Sequence, residues 1–258
     1  MRYLCFIFLI SVIFISISSA SPLTVHYLDV GQGDSALIEH NNHTMLIDAG
    51  TLDAGPTILS YLQSRGITYL DVMVSSHPHS DHIGGMVDVL NEIPVQLFVD
   101  NGATHTTPVY RDLEKVLVKK QIPYATAGRG DVIPFTDDVH IEVTHPDYLS
   151  DDMNEDSLAL LLTYGDATLF FPGDCEQCDA TADVVKLAHH GSKGSASRGL
   201  LHNDYPQDVI ISLGRNNDYH YPAPSTMNAL TKAGISVHRT DLEGTIVLKT
   251  DGKRYWFV

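Results

Sequence analysis

The hydrophobic pattern of the chain predicts many short β-strands. Runs with apolar residues at alternate or successive positions occupy residues 23–29, 36–39, 44–47, 71–75, 95–99, 139–143, 158–163, 168–171, 184–187 and 209–213, and shorter runs follow at Val237 and residues 246–248. Asn41-Asn42 and Gly165-Asp166 separate neighbouring runs and predict hairpin turns. The chain is therefore expected to be rich in β-sheet.

Apolar residues at helical spacing predict four helices between these strands, at residues 56–64, 83–90, 108–120 and 226–232. Pro56 stands near the start of the first helix, and Gly66 and Gly234 follow the first and the last. No Pro- or Ser-rich linker divides the chain. The order of elements predicts one α+β domain over residues 23–258, with helices outside two packed sheets.

The first twenty residues have the pattern of an export signal. Arg2 supplies a positive charge, residues 4–17 form an apolar run broken only by two serines, and Ser18-Ser19-Ala20 offers small residues for cleavage. An uncleaved membrane anchor and a buried first strand are the alternatives. The expected location is extracellular, or anchored at the outer face of the cytoplasmic membrane. The membrane is expected as a partner only if this segment stays uncleaved.

The charge of the chain argues against a stable complex with nucleic acid. The 258 residues include 32 acidic and 16 basic side chains, which gives a formal charge of −16. Such a surface repels phosphate backbones, although a bound divalent ion reverses the sign locally. Nucleic acid is therefore expected only as a substrate at a metal site.

Cys175 and Cys178, the two cysteines after the export segment, are spaced C-x-x-C. A lone C-x-x-C is a weak indication of zinc. In an exported protein the spacing favours a local disulfide, with free thiols as the alternative.

Candidate metal ligands are concentrated in residues 77–82, directly after the strand predicted at 71–75. Imidazole nitrogen and carboxylate oxygen are ligands of zinc, manganese and iron. On an extended loop the alternate residues His77, His79 and Asp81 can converge on one side. His82 then points elsewhere, towards a second ion.

Further ligand-type side chains follow other predicted strands: Asp48, Asp174 and the doublet His189-His190. The ends of strands from two sheets can meet at one edge, and a dinuclear centre needs that many ligands. Asp174 is the natural bridging carboxylate. The doublet leaves open which imidazole binds, and the other would support the ligands from outside.

Together these motifs resemble the metallo-β-lactamase superfamily. The resemblance rests on His77-x-His79-x-Asp81-His82 followed by Gly84-Gly85, and on Gly173-Asp174 and His189-His190-Gly191-Ser192 downstream. Residues 28–35, 46–50, 157–158, 186–192 and 238–244 look, more narrowly, like the hydrolase domain of ComEC competence proteins. The similarity covers nearly the whole chain after the export segment.

The resemblance implies a four-layer αββα sandwich with two divalent ions, zinc or manganese, at the edge between the sheets. It implies hydrolysis, in this branch most often of a phosphoester, and in ComEC-like proteins degradation of a DNA strand. The implied metal ligands are His77, His79, Asp81, His82, Asp174 and His190. Asp48 is expected to orient a metal-binding histidine, and His189 to lie beside the ligands.

Three departures from the family pattern mark what is particular to this chain. The membrane channel of full ComEC proteins is missing, so the chain is not expected to import DNA alone. The third histidine of the superfamily has no clean match: Asn154, a poor zinc ligand, lies near its place, and His145 is the alternative. The family's Tyr-Gly-His-Pro is Tyr219-His220-Tyr221-Pro222 here, so either His220 or Tyr221 is expected at the substrate.

The expected function is that of an exported metal-dependent hydrolase of phosphodiesters or phosphomonoesters, including extracellular DNA. Metal lowers the pKa of a bound water towards about 7. Asp81 is expected to orient that water or relay its proton, and His220 is a second catalytic candidate. The candidate phosphate contacts are Ser192, Lys193, Asn216 and Asn217. A hydrolase of another ester or lactone is one alternative, and a metal-binding surface module without turnover is the other.

Overall fold

The computed structural model describes residues 21–196, 200 and 206–258. The predicted export segment, residues 1–20, lies outside the described residues. Within them, no helix combines the length and the apolar character that crossing a bilayer requires.

The described strands form two mixed sheets. In spatial order, the larger sheet contains β14 (Tyr255–Phe257), β13 (Ile246–Thr250), β1 (Leu23–Tyr27), β2 (Ala36–His40), β3 (His43–Ile47), β4 (Leu70–Val74), β5 (Val95–Asp100) and β6 (Tyr124–Thr126). The smaller sheet contains β12 (Ser236–Arg239), β11 (Asp208–Ile211), β10 (Val184–Lys186), β9 (Ala167–Phe171), β8 (Ala159–Tyr164) and β7 (Val139–His145).

The helices are α1 (Gly55–Ser64), α2 (Ser80–Ile83), α3 (Met86–Glu92), α4 (Pro108–Lys120), α5 (Pro224–Ala233) and α6 (Thr240–Glu243). Short 3₁₀ segments cover Leu52–Ala54 and Ala188–Gly191. The single helix predicted at 83–90 is wrong, because two short helices meet there at Gly84 and Gly85. The backbone passes so close to residues 49–52 that a Cβ on either glycine would overlap it.

Three apolar clusters define the layers. Between the sheets, the buried ring of Tyr27 stacks on Phe171 with 5.8 Å between ring centroids. Ile58 of α1 packs on the outer face of the larger sheet, and Leu230 of α5 packs on the outer face of the smaller one. Each such side chain contributes about 1.5–3 kcal/mol of burial free energy. The order helix, sheet, sheet, helix confirms the predicted αββα sandwich.

Parallel pairing brings the polar ends of several strands to one edge. In the larger sheet β3, β4 and β5 are parallel, with Ile47 opposite Val74 and Val74 opposite Val99. In the smaller sheet β9, β10 and β11 are parallel. The carboxyl ends of parallel strands lie together, so segments leaving both sheets meet at this edge.

Candidate metal centre

The segment after β4 carries four ligand-type side chains on two kinds of backbone. His79 is extended, with φ −73° and ψ 149°, and α2 begins at the next residue. His77 therefore precedes the helix, whereas Asp81 and His82 lie on it. The expectation that Asp81 continues an extended loop was wrong, because the chain coils directly after His79, and the amide of His82 donates to the carbonyl of His79 (3.0 Å).

Among the described residues, four overlapping groups of ligand-type atoms meet at this edge; two of them include Asp34, and the other two consist only of ligands expected from the sequence. One atom each from His77, His82 and Asp174 lie within 4.8 Å of one another, and so do atoms of Asp81, His82 and His190. The first group joins residues after β4 to the residue that follows β9. The second group adds His190, which lies in the segment after β10. The arrangement therefore brings together both sheets around neighbouring ligand positions.

Asp174 and His190 connect the two groups. Asp174 Oδ1 lies 3.3 Å from His82 Nε2 and 3.8 Å from His190 Nε2, and its Oδ2 lies 3.9 Å from His77 Nε2. His190 Nε2 is also 3.3 Å from Asp81 Oδ2. The Asp174 carboxylate thus faces both groups, as a bridging ligand must.

Three of these atoms show that the donor set fits a metal. His82 Nε2, His190 Nε2 and Asp174 Oδ1 are buried and have no hydrogen-bond partner among the described residues. Unpaired polar atoms are costly inside a protein. A divalent cation between them would satisfy all three, and imidazole with carboxylate is the set that zinc and manganese use.

Asp48 orients His82. Its Oδ2 lies 2.8 Å from His82 Nδ1, and it accepts hydrogen bonds from the amide (2.8 Å) and the hydroxyl (2.7 Å) of Ser76. Because Nδ1 faces Asp48, Nε2 is directed at the centre. A carboxylate behind a histidine fixes the ring and its tautomer at metal sites.

A second carboxylate, which sequence reasoning did not select, lies behind His190. Asp34 Oδ1 is 3.2 Å from His190 Nδ1, and Asp34 forms a buried ion pair with Lys186. The same His190 nitrogen is 3.0 Å from the carbonyl oxygen of Ser212. Asp34 and Lys186 lie inside motif segments 28–35 and 186–192, which was the available indication.

His77 and His79 lie side by side at the other half of the centre, but of the two only His77 belongs to one of the groups of ligand atoms among the described residues. His77 Nδ1 is within 3.2 Å of the hydroxyls of Ser76 and Ser157, and its Nε2 is 3.0 Å from His79 Nδ1. Asn154 Oδ1 is buried without a hydrogen-bond partner in the described part of the chain. The amide therefore has an oxygen to offer where the superfamily has a third histidine.

His145, the alternative third histidine, lies in a different cluster. Its Nε2 is 2.7 Å from the carbonyl oxygen of Glu155, and it neighbours Cys175 and Cys178. Those cysteines form a disulfide, which confirms the local disulfide predicted from their spacing. The structure does not bring His145 to the two groups of ligand atoms described above.

His189 lies at the rim of the centre. His189 and His190 both have positive φ, 47° and 53°. Such strained backbone is found where surrounding contacts impose it, often at functional sites. His189 Nδ1 is 3.0 Å from Glu176 Oε1, and its Nε2 is 3.9 Å from Asp174 Oδ2. Its ring also contacts Tyr221, with centroids 5.9 Å apart.

The substrate contacts expected from the sequence lie in different settings. His220 is exposed, and no described residue of the centre contacts its ring, whereas Tyr221 reaches His189. The Asn217 side chain closes its own turn by bonding the carbonyl oxygen and the amide of Tyr221 (2.8 and 2.9 Å). Ser192 is buried and donates to Glu176. Lys193 and Asn216 are exposed.

The electrostatics of the two halves are opposite. Burial lowers the pKa of His190, but Asp174 and Asp34 overcome it and raise that pKa to about 9. Burial acts in the same way on His82, and Asp174 and Asp48 raise its pKa well above the usual value. Carboxylates therefore attract cations to this half.

On the other side, burial and the neighbouring imidazole of His82 lower the pKa of His77 well below its usual value, and they also lower that of His79. Burial raises the pKa of Asp174, but His82 and His190 bring it well below its ordinary range. Asp174 is therefore an anionic ligand, and His77 is a neutral one.

Comparison with known proteins identifies the class. A family model for the metallo-beta-lactamase superfamily matches residues 28–214, a segment that contains both groups of ligand atoms. The chain therefore belongs to the metallo-β-lactamase superfamily, a superfamily of hydrolases by its main activity, in which metal binding is typical.

Three of its relatives are named for the ComE operon, for recombination and for competence. The chain is 29% identical to ComE operon protein 3 of Bacillus subtilis over 86% of its length and 32% of the relative. It is 30% identical to Recombination protein 2 of Haemophilus influenzae over 86% of this chain and 28% of that one. It is 29% identical to Competence protein ComA of Neisseria gonorrhoeae over 84% of this chain and 31% of that one. The chain thus spans about a third of each.

Solved structures with little sequence identity share the fold. The metallo-beta-lactamase fold protein YhfI from Bacillus subtilis matches with a TM-score of 0.63 and 14% identity, over 89% of this chain and all of that one. Igni18, a metallo hydrolase from Ignicoccus hospitalis, matches with a TM-score of 0.56 and 16% identity, over 87% of this chain and 98% of that one. At these identities the likeness concerns the fold alone.

Proposed function

We propose that this protein is an exported dinuclear metal hydrolase of phosphodiesters or phosphomonoesters. The observation that carries the proposal is the convergence of unpaired, buried His82 Nε2, His190 Nε2 and Asp174 Oδ1 at the edge between the sheets. Export rests on the apolar pattern of residues 4–17, and the phosphoester class rests on the similarity to competence and recombination proteins.

The residues that would hold the ions divide into two sets that share Asp174. His77 and His79 would form the first site, with Asn154 as a weak additional ligand. The second site would be formed by Asp81, His82 and His190. Zinc or manganese suits these ligands.

Two divalent ions, when bound, supply a water of lowered pKa and positive charge for the phosphate oxygens. Asp81, with a quarter of its side chain exposed and its Oδ2 3.3 Å from His190 Nε2, would accept a hydrogen bond from the attacking water and so orient it. At the rim, Tyr221 takes the place of the displaced family histidine, because its ring packs on His189 beside Asp174. The Tyr221 hydroxyl would then bind a non-bridging oxygen of the substrate.

A second candidate function is hydrolysis of a thioester or another carboxylic ester. The chain is 40% identical to the Hydroxyacylglutathione hydrolase of Aeromonas salmonicida over 58 residues, which is 22% of this chain and 21% of that one. The match is short, so the phosphoester remains the main proposal.

The test is hydrolysis of bis-(p-nitrophenyl) phosphate and of a DNA oligonucleotide by protein loaded with zinc or manganese, beside a hydroxyacyl thioester and a lactone. We expect phosphodiester turnover. His79→Ala with Asp81→Ala should reduce it about 1,000-fold or more, because both metal sites lose a ligand. His220→Ala, which changes an exposed ring, is the matched control and should stay active.

Elemental analysis of the same samples separates the alternatives. Bound metal with turnover of only the thioester or lactone would replace the phosphoester proposal with the second candidate. Bound metal without turnover of any substrate would favour a metal-binding surface module.

A further inference from the structure

The loop between β1 and β2 touches the metal centre without offering one of its expected ligands. The amide of Asp34 donates to the carbonyl oxygen of Asp81 (3.1 Å), and the amide of Gly50 donates to the carbonyl oxygen of Asp34 (2.8 Å). Gly33 has φ +118°, and a Cβ there would overlap the Asp81 carbonyl. Glycine is therefore required for the loop to lie against the backbone of a ligand residue.

The Asp34 side chain reaches across to the smaller sheet. It is 6% exposed and approaches His190 Nδ1 at 3.2 Å and His82 Nδ1 at 3.9 Å. Asp34 is thus behind two ligand imidazoles that come from different sheets.

Lys186 completes the connection. It ends β10 and is 4% exposed, and its Nζ pairs with Asp34 and donates to the carbonyl oxygen of Gly173 (3.3 Å). Gly173 directly precedes Asp174. The ion pair therefore contacts the backbone next to the bridging carboxylate as well as the ring of His190.

Stability alone does not account for a charged pair at this position. Removing two ions from water costs about as much as their attraction returns, and a hydrophobic pair of similar volume is often as stable. A cavity of about 20 Å³ lined by Asp34, Asp48, Lys186 and Ser212 lies behind the ligands, so the packing there is incomplete. What the pair provides instead is fixed geometry behind the ligands.

We propose that Asp34 and Lys186 form a brace, an ion pair between the sheets that positions His190 and Asp174 for the second metal site. In this proposal both are positioning residues, because Asp34 contacts the ring of His190 and Lys186 contacts the backbone carbonyl next to Asp174. The brace gives a role to two charged residues of segments 28–35 and 186–192. It concerns metal binding, so it stands independently of which substrate is hydrolysed.

The experiment measures manganese and zinc binding by calorimetry and equilibrium dialysis, without substrate. His79→Ala serves as the background, because it weakens the first site and leaves the second to be titrated. In that background Asp34→Asn and Lys186→Met should each reduce second-site affinity by about 10- to 100-fold, the usual effect of disturbing the groups behind metal ligands. Lys186→Arg should retain most of the affinity, since the charge remains.

The matched control is Asp71→Asn. Asp71 is also a carboxylate of the larger sheet. It accepts a hydrogen bond from the amide of Thr44 (2.8 Å) and lies 3.2 Å from His43 Nδ1, but it is at the end of β4 away from the metal centre. It should leave metal affinity unchanged. Equal losses in Asp71→Asn and Asp34→Asn would overturn the brace, because the effect would then be a general loss of stability.

The double variant Asp34→Asn with Lys186→Met distinguishes positioning from charge balance. Lys186→Met alone leaves a buried, unpaired carboxylate and should lower the melting temperature of the metal-free protein; the double variant should recover it. Metal affinity should stay low in the double variant. If affinity recovers together with stability, the proposal is overturned. The cobalt spectrum of Asp34→Asn saturated with cobalt is a second test. A ligand lost from that spectrum would also overturn the proposal, because Asp34 would then be a metal ligand itself.

Discussion

The two halves of the centre are built from similar side chains but are supported differently. Behind His82 and His190 stand the carboxylates of Asp48 and Asp34. Behind His77, the described partners are the neutral hydroxyls of Ser76 and Ser157. Carboxylates make a histidine a stronger and better oriented ligand than hydroxyls do.

The halves also differ in completeness. Asp81, His82 and His190 would supply a full protein-derived set for the second site, with Asp174 as the shared ligand. The first site has His77 and His79, and the amide of Asn154 where its superfamily has an imidazole. From this difference we expect the chain to bind one ion more tightly than the other.

Removing the shared ligand should have the largest effect, because it breaks both halves. Asp174→Ala is expected to abolish tight binding of both ions and to lower turnover by about 1,000-fold or more. Metal content after dialysis and steady-state kinetics measure this. Asp183→Ala, on the same sheet and away from the centre, is the control. One retained, tightly bound ion in Asp174→Ala would show that Asp174 does not bridge.

Weakening the support behind each half should separate them. Asp48→Asn is expected to lower second-site affinity by about 10- to 100-fold, because His82 loses its carboxylate. Ser157→Ala should lower first-site affinity by less, since a hydroxyl is a weaker partner. Calorimetric titration with zinc resolves the two affinities. If Ser157→Ala lowers first-site affinity as much as Asp48→Asn lowers second-site affinity, the groups behind the histidines do not explain the difference between the halves.

The pH dependence of stability should also distinguish the halves. In the metal-free protein the pKa of His190 is raised to about 9, against about 6.5 in an unfolded chain. Protonated His190 therefore stabilises the fold fully below pH 6.5, and this contribution, on the order of 3 kcal/mol, is lost as the pH rises through 9. His77, with a lowered pKa, stays neutral over this range.

Urea unfolding of chelator-treated protein at pH 6 and pH 9.5 measures this loss. Metal-loaded protein should show the reverse trend, because protons compete with the ion for the same nitrogens. His190→Gln should remove the His190 share of this fall, and the share of His82, whose pKa is also raised, should remain. A metal-free protein that becomes more stable towards pH 9.5 would contradict the assignment.

Completing the first half should have the smallest effect. Asn154→His supplies an imidazole where the amide oxygen now lies unpaired, and we expect first-site zinc affinity to rise by about tenfold, since nitrogen is the better zinc ligand. Asn154→Gln is the control. Unchanged affinity in Asn154→His would show that this position does not face the first ion.

The sequence was most informative where ligands are neighbours in the chain. Four potential ligands occur within residues 77–82, so this segment could be recognised directly. Asp174 and His190 follow predicted strands, so their convergence could be expected from the positions of the strand ends. Edge strands such as β6 and β14 were missed because three residues are too few for a period of two to emerge.

Asp34 and Lys186 could not be assigned from the sequence, because their role arises from contact between distant segments. Neither residue is a usual metal ligand in this pattern, and each would have been read as a surface charge. The choice between Asn154 and His145 depended in the same way on which side chain faces inward. Distance along the chain does not contain that information.

The origin of the ligands in both sheets has a consequence for how the protein acquires its metal. The centre closes only when the two sheets meet, so loading should report the completion of folding. Residues 77–82 stay together in an unfolded chain and would retain a weak affinity for metal. A large excess of metal would thus also bind the unfolded chain and diminish the net stabilisation. Refolding should be most efficient when metal is added after the chain has collapsed.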